Sequence, residues 1–140
     1  MPKGSRTAAA VALMSGLVLA GPAVGCEAAL RGENVHRADG TTYAVAWRTD
    51  PSLLSVSEFF TIEVVTCSKT EAPLPAELRI DAVMPEHKHG MNYRPTVTSL
   101  GNGRFRAEGF LLHMPGLWEF SFDLRGAGKS EVVRERIVLR

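Results

Sequence analysis

Apolar residues fall at every second position in one segment of this chain after another. Leu78, Ile80, Ala82 and Met84 alternate with Arg79, Asp81 and Val83, and Trp118, Phe120, Phe122 and Leu124 alternate with Glu119, Ser121 and Asp123. Tyr43, Val45 and Trp47 share a face within Thr42–Arg48; Phe60, Ile62 and Val64 share one within Glu58–Cys67, opposite Thr61 and Glu63. Arg104–Leu112 sets Phe105, Ala107, Gly109 and Leu111 on one side and Arg106, Glu108, Phe110 and Leu112 on the other. Val133, Ile137 and Leu139 line one face of Glu131–Leu139. Side chains alternate across a strand, so a period of two marks strands buried on one face, as in antiparallel sheets. Seven or eight such strands between turn residues predict an all-β chain folded as an antiparallel β-sandwich. No segment after residue 25 carries a helical stripe. Trp47 and Trp118 lie on apolar faces and are expected in the core.

The first 25 residues follow a different rule. Lys3 and Arg6 precede the apolar run Ala8–Ala20, and Gly21-Pro22-Ala23-Val24-Gly25 closes it with small residues. This is the layout of a cleaved secretory signal peptide. The run is short for a spanning helix, which needs about 20 apolar residues. Cleavage is expected after Gly25 or after Ala28. Ala23-Val24-Gly25-Cys26 also resembles a bacterial lipobox, with Ala23 where leucine is usual, so acylation of Cys26 is one fate for that thiol. The other is a bridge to Cys67, the second of the chain's 2 cysteines. Exported chains with two cysteines most often pair them. A Cys26–Cys67 bridge closes a loop of about 40 residues, worth about 4 kcal/mol in the chain-entropy view.

Residues 26–140 then form a single domain, too short for two hydrophobic cores. Loss of Lys3 and Arg6 takes the formal net charge from +1 to −1. With no run of like charge there is no electrostatic footprint for nucleic acid. Contact with a membrane is expected only if Cys26 is lipidated. Pro73 and Pro75 mark a surface connection between strands, not a domain boundary.

Chemistry concentrates in Met84–Met91, M-P-E-H-K-H-G-M, which holds two of the 4 histidines and two of the 5 methionines. His113-Met114 follows a later strand. Imidazole binds copper in either oxidation state and thioether selects Cu(I), so this pairing suits copper before other metals. His87, His89, Met91 and His113 are the leading ligand candidates. Met84, on the apolar face with Ile80, is core or an added soft ligand, and Met114 either caps the sandwich or binds. Ordinary roles exist for each histidine as well, a solvated loop side chain for His87 and His89 and a carbonyl-bonded ring for His113. His36, among Asn34, Arg37 and Asp39, is left out of the site. Three histidines, His87, His89 and His113, would make zinc the second choice of metal.

A hairpin offers a way to unite the two clusters. Gly101-Asn102-Gly103 divides Pro95–Leu100 from Arg104–Leu112, and Asn-Gly between alternating runs is a strong hairpin signal. A two-residue loop sets Gly101 opposite Arg104; a three-residue loop shifts the partner by one. Carried outward, either register sets His113 opposite Met91 or Asn92, and Met114 opposite Gly90 or Met91, with Pro95 as the place where a bulge would shift it.

Enzyme signatures are absent: there is no H-E-x-x-H, no G-x-S-x-G and no Gly-rich loop before a helix, so the chain is not expected to be an enzyme. The stretch D-A-V-M-P-E-H-K-H-G-M-N-Y-R-P-T-V, followed by G-N-G-R-F-R-A-E-G-F-L-L-H-M-P-G-L-W-E-F, resembles the YtkA-like domain family, which is related to FixH-type proteins. The resemblance spans about residues 40–139. It implies a small extracytoplasmic immunoglobulin-like β-sandwich associated with copper handling or oxidase assembly. FixH-type proteins carry a membrane helix and this sequence shows none after residue 25, which points away from an oxidase-accessory role. The site chemistry is also similar to that of PCuAC-type periplasmic copper chaperones, with His89 and Met91 matching an H-x-M element.

The expected function is therefore that of a periplasmic copper-binding protein or copper chaperone. Its partner would be an extracytoplasmic protein that accepts or donates copper. Two other readings stand beside it: a metal-free β-sandwich interaction module whose methionines form a greasy patch, and a zinc-binding structural domain.

Overall fold

Alternating segments place one face of each strand against the other sheet. The computed structural model describes residues 26–140 and shows the all-β antiparallel sandwich that this pattern requires. A 3-10 turn, Cys26–Ala29, precedes nine strands. They are β1 His36–Asp39, β2 Tyr43–Asp50, β3 Phe59–Ser68, β4 Glu77–Met84, β5 His89–Gly90, β6 Thr96–Gly101, β7 Arg104–Leu111, β8 Gly116–Gly126 and β9 Lys129–Leu139. One sheet has the order β1-β2-β3-β7-β6 and the other β5-β4-β8-β9. Strands β2, β3, β7 and β6 stand where A, B, E and D stand in an immunoglobulin fold, and β4, β8 and β9 where C, F and G stand. The count exceeds the seven or eight expected because β1 and β5, of 4 and 2 residues, are too short to carry an alternation. The expected signal peptide, residues 1–25, lies outside the described residues.

Inward residues of both sheets form one core. Tyr43, Val45, Trp47, Ile62, Val64, Phe110, Leu112, Trp118, Phe120, Phe122 and Leu124 are all buried. Each large apolar side chain so placed contributes about 1.5–3 kcal/mol. Strand β7 departs from simple alternation. Phe60 pairs with Phe110 but Thr61 pairs with Glu108, so Gly109, at φ 91°, is the extra residue of a bulge. Beyond it the faces exchange, and Phe110 and Leu112 point inward instead of Gly109 and Leu111. A bulge adds one residue to one strand and so reverses the parity of everything after it.

A second, smaller cluster lies on the outer face of β2 and β3. Cys26 and Leu30 pack there on Ala46 and Val65. Cys26 and Cys67 form a disulfide with Cα atoms 5.7 Å apart, across 41 residues of sequence. Of the two fates for Cys26, the structure shows the bridge. A small disulfide-bonded β domain is compatible with an extracytoplasmic location. Among the described residues no helix is long and apolar enough to cross a membrane.

The two sides of the sandwich are finished differently. On one side β1 and β9 are tied together. Glu135 accepts the Trp47 indole N–H at 2.7 Å and meets His36 Nδ1 at 3.2 Å, while the His36 ring stacks on Trp47 at 4.5 Å. Glu131 accepts backbone N–H groups of Thr41, Thr42 and Tyr43 at 2.5–3.1 Å. Burial works to raise the Glu131 carboxyl, but the Tyr43, Thr42 and Thr41 amides outweigh it and hold it below its ordinary value. On the other side β6 is an edge strand, β4 is flanked only by the two-residue β5, and β4 and β6 do not pair.

Candidate metal centre

Met84–Met91 folds as a tight return at the end of β4. The N–H groups of His87 and Lys88 donate to the Met84 carbonyl at 3.2 and 3.0 Å, and Lys88 takes a φ of 54°. The chain then comes back antiparallel. His89 pairs with Met84 and Gly90 with Val83, and Met91 N–H donates to the Ala82 carbonyl at 3.3 Å. Directly opposed residues project to the same face. Met84 points into the core, so His89 is turned inward beside it. His87, two residues earlier in the turn, is exposed.

The second cluster lies where the chain crosses between sheets. After β7, Leu112 is buried and its carbonyl accepts the Ser57 N–H at 2.8 Å. His113 and Met114 follow, partly buried, before Pro115-Gly116 starts β8. Trp118 Nε1 donates to the Met114 carbonyl at 3.0 Å, which fixes this crossing against the core. Gly116 has φ 131°, and a Cβ there would lie 2.8 Å from Met84 Cε. The glycine thus serves both the backbone turn and the space that the Met84 methyl fills.

The two clusters meet. The ring centroids of His89 and His113 are 5.1 Å apart, and those of His87 and His89 are 5.7 Å apart. The Trp118 ring stands nearly perpendicular to both inner imidazoles, at 5.6 Å from His113 and 6.4 Å from His89. His89 Nε2 and His113 Nδ1 are buried and have no hydrogen-bond partner among the described residues. Buried polar atoms are nearly always bonded, so two such nitrogens on adjoining rings are unusual. Met91 and Met114 are partly buried and pack on the core cluster, while Met84 is only 1% exposed. Met84 therefore belongs to the core, and Met91 and Met114 reach the surface in part.

Among the described residues no group of three or more His, Cys, Asp or Glu side chains gathers closely enough to hold an ion. At this rim lie two adjoining imidazoles and a third, exposed one, with Met91 and Met114 close to His89 and His113 in the sequence. That set matches Cu(I), which accepts thioether ligands, better than zinc, which takes imidazole, thiolate and carboxylate.

The hairpin is not what closes the site. Gly101 does pair with Arg104, and Asn102 and Gly103 have φ of 51° and 70°, as a type I′ turn demands. A shift between Ser99 and Gly101 then moves the ladder by one residue, and the last pair is Thr96 with Glu108. Pairing stops well short of Met91. The histidines converge because β5 pairs with β4, β4 pairs with β8, and the crossing into β8 carries His113. The sequence pattern places Trp118 in the core. It is fully buried, yet it also forms the wall behind both imidazoles, and nothing in a period-two pattern separates these roles.

No family model matches the chain, and no curated protein matches it. Among solved structures, the chain is similar to a DUF4426 family protein from Pseudomonas aeruginosa, with 12% identity and a TM-score of 0.48. The likeness covers 77% of this chain and 98% of that one.

Proposed function

We propose that this protein is an extracytoplasmic copper-binding protein that carries Cu(I) as a chaperone. One observation carries the reading: His89 Nε2 and His113 Nδ1 belong to adjoining rings, are buried and have no hydrogen-bond partner among the described residues. Leaving a buried polar atom unsatisfied costs about 1–3 kcal/mol, and a soft cation between the two rings would remove that cost. His89 and His113 would hold the metal, with Met91 and Met114 as thioether donors. Met84 supports them from the core. His87, exposed beside His89, is placed to meet the ion as it enters or leaves. Trp118 keeps water from the inner side of the pair.

The resemblance of residues 40–139 to the YtkA-like family, and the H-x-M element at His89 and Met91, favour the same reading. Residues 1–25 would direct export, and the Cys26–Cys67 bridge fits an oxidising compartment. The partner would be an extracytoplasmic protein that exchanges copper with this rim.

Titration of the purified protein with Cu(I) against a competing chelator tests the proposal. A single tight site is expected, weakened at least tenfold, about 1.4 kcal/mol, by His113→Ala. Zinc bound more tightly than Cu(I), through His87, His89 and His113, would favour the zinc domain. No tight binding of Cu(I), Cu(II) or Zn(II) would favour the metal-free module. The exposed aromatic pair Phe59–Tyr93, with ring centroids 5.2 Å apart, is the observation that supports that alternative.

A further inference from the structure

The open side of the sandwich is an unfinished sheet. Strand β4 pairs with β8 from Glu77 to Val83, but β5 pairs with its other edge only at Val83 and Met84. The direction of the free groups is fixed by bonds that are present. Ala82 and Met84 turn their carbonyls to the β5 side, where Met91, His87 and Lys88 donate to them. Backbone groups alternate along a strand, so Ile80 and Leu78 turn their N–H and C=O to the same side, beyond the reach of β5. Asp81 occupies the Ala82 N–H with its own carboxylate at 2.8 Å. Leu78 and Ile80 have no such cover.

A cleft of about 760 Å³ runs beside this edge, with Leu78, Ile80 and Val97 along it and Arg79, Arg94 and Arg134 around it. A second hollow continues it past Glu77 toward Ser99 and Phe105. The facing strand β6, T-V-T-S-L-G, has no charge and no proline within it, so its edge lacks the usual protection against strand addition. Arg79, Arg94 and Arg134 outnumber the two carboxylates that line the cleft, Asp81 and Asp123, although Arg134 also meets Glu119 at 3.7 Å. Asp123, the carboxylate that Arg79 influences, is already held by Arg125 at 2.6 Å. Arg79 and Arg94 make no salt bridge with any described residue.

We propose that this side binds an extended, acidic segment of a partner protein, added as a strand to the free edge of β4 in line with β5. Its backbone pairs with Leu78 and Ile80, and its carboxylates meet Arg79 and Arg94. Main-chain bonds supply affinity in such strand addition and alternate side chains supply selection. The opposite side differs in that Glu131 and Glu135 of β9 reach across to the backbone at Thr41–Tyr43 and to His36 and Trp47.

The probe is a ten-residue peptide alternating valine and glutamate, added to the isotopically labelled protein. Saturable binding is expected, with hydrogen exchange slowed at the Leu78 and Ile80 amides. Replacing glutamate by lysine in the peptide, or methylating alternate backbone nitrogens, should weaken binding at least tenfold, as should the exposed change Arg94→Glu. The proposal is overturned if the peptide does not bind, or if the lysine or methylated peptide binds equally well. Protection of those amides by self-association in the absence of peptide would also overturn it, in favour of a second copy at this edge.

Discussion

Histidine lies against tryptophan at two places in this molecule, and the two places differ in what the imidazole nitrogens meet. At the β1–β9 side His36 stacks on Trp47, and Glu135 engages both rings, so the polar atoms that face one another are paired. At the rim His89 and His113 stand edge to face with Trp118, whose N–H is spent on the Met114 carbonyl, and two imidazole nitrogens are buried and unbonded among the described residues. The first arrangement is closed and holds strands together. The second leaves donor atoms for something else to use. Residue type does not separate them; hydrogen-bond accounting does.

The largest effects should come from the tryptophans. Trp47→Ala and Trp118→Ala each remove a fully buried aromatic and should cost about 3–5 kcal/mol in denaturant unfolding. Only Trp118→Ala should also weaken Cu(I) binding; equal losses of affinity in both variants would erase the distinction between the clusters. Replacing Cys26 and Cys67 by serine should lower stability by about 4 kcal/mol through loss of loop closure. Cu(I) affinity should stay within twofold, because the bridge ties the 3-10 turn to β3 and does not touch the rim.

Glu135→Gln sharpens the contrast further. It weakens a charge-assisted bond to Trp47 and His36, with an expected loss of about 1–2 kcal/mol and no change in metal affinity. His113→Ala should behave in the opposite sense, losing affinity while stability holds or rises, since it deletes an unsatisfied buried nitrogen. A stability loss in His113→Ala as large as that of Glu135→Gln would show that the rim pair is structural too.

The smallest effect concerns pH. The Glu131 carboxyl is held below its ordinary 4.5, so its contribution to stability is complete above that value and disappears as pH falls through the lowered one. The melting-temperature gap between wild type and Glu131→Gln should be constant above about pH 5 and should close in more acid solution. Asp39, held at about 2 chiefly by Arg37, titrates in the same direction, so the difference from the variant is the quantity to follow. A gap that widens on acidification would contradict the amide clasp on Glu131.

Much of this was legible in the residues themselves. The strand faces of β2, β3, β4, β8 and β9 follow directly from alternation, because each side chain's face is fixed by its own strand. The Cys26–Cys67 pair and the M-P-E-H-K-H-G-M cluster were equally visible. Position 109 was not: a single bulge at Gly109 reversed the faces after it, and bulges depend on how two strands fit and not on either alone. The hairpin turn was read correctly, yet its ladder ended at Thr96 and Glu108, because where pairing stops depends on competing contacts elsewhere.

What the sequence determined by itself was a sandwich, its inward residues and the presence of nitrogen and sulfur donors in two separate stretches. What the tertiary structure decided was which donors meet, that Trp118 stands behind them, that His36 is already engaged, and that one side of the sheet pair stays open. The physical reason is range. Periodicity is a property of neighbouring residues, whereas the meeting of His89 with His113 depends on β5, β4 and β8 taking their places in one sheet, and only the packed core selects that order.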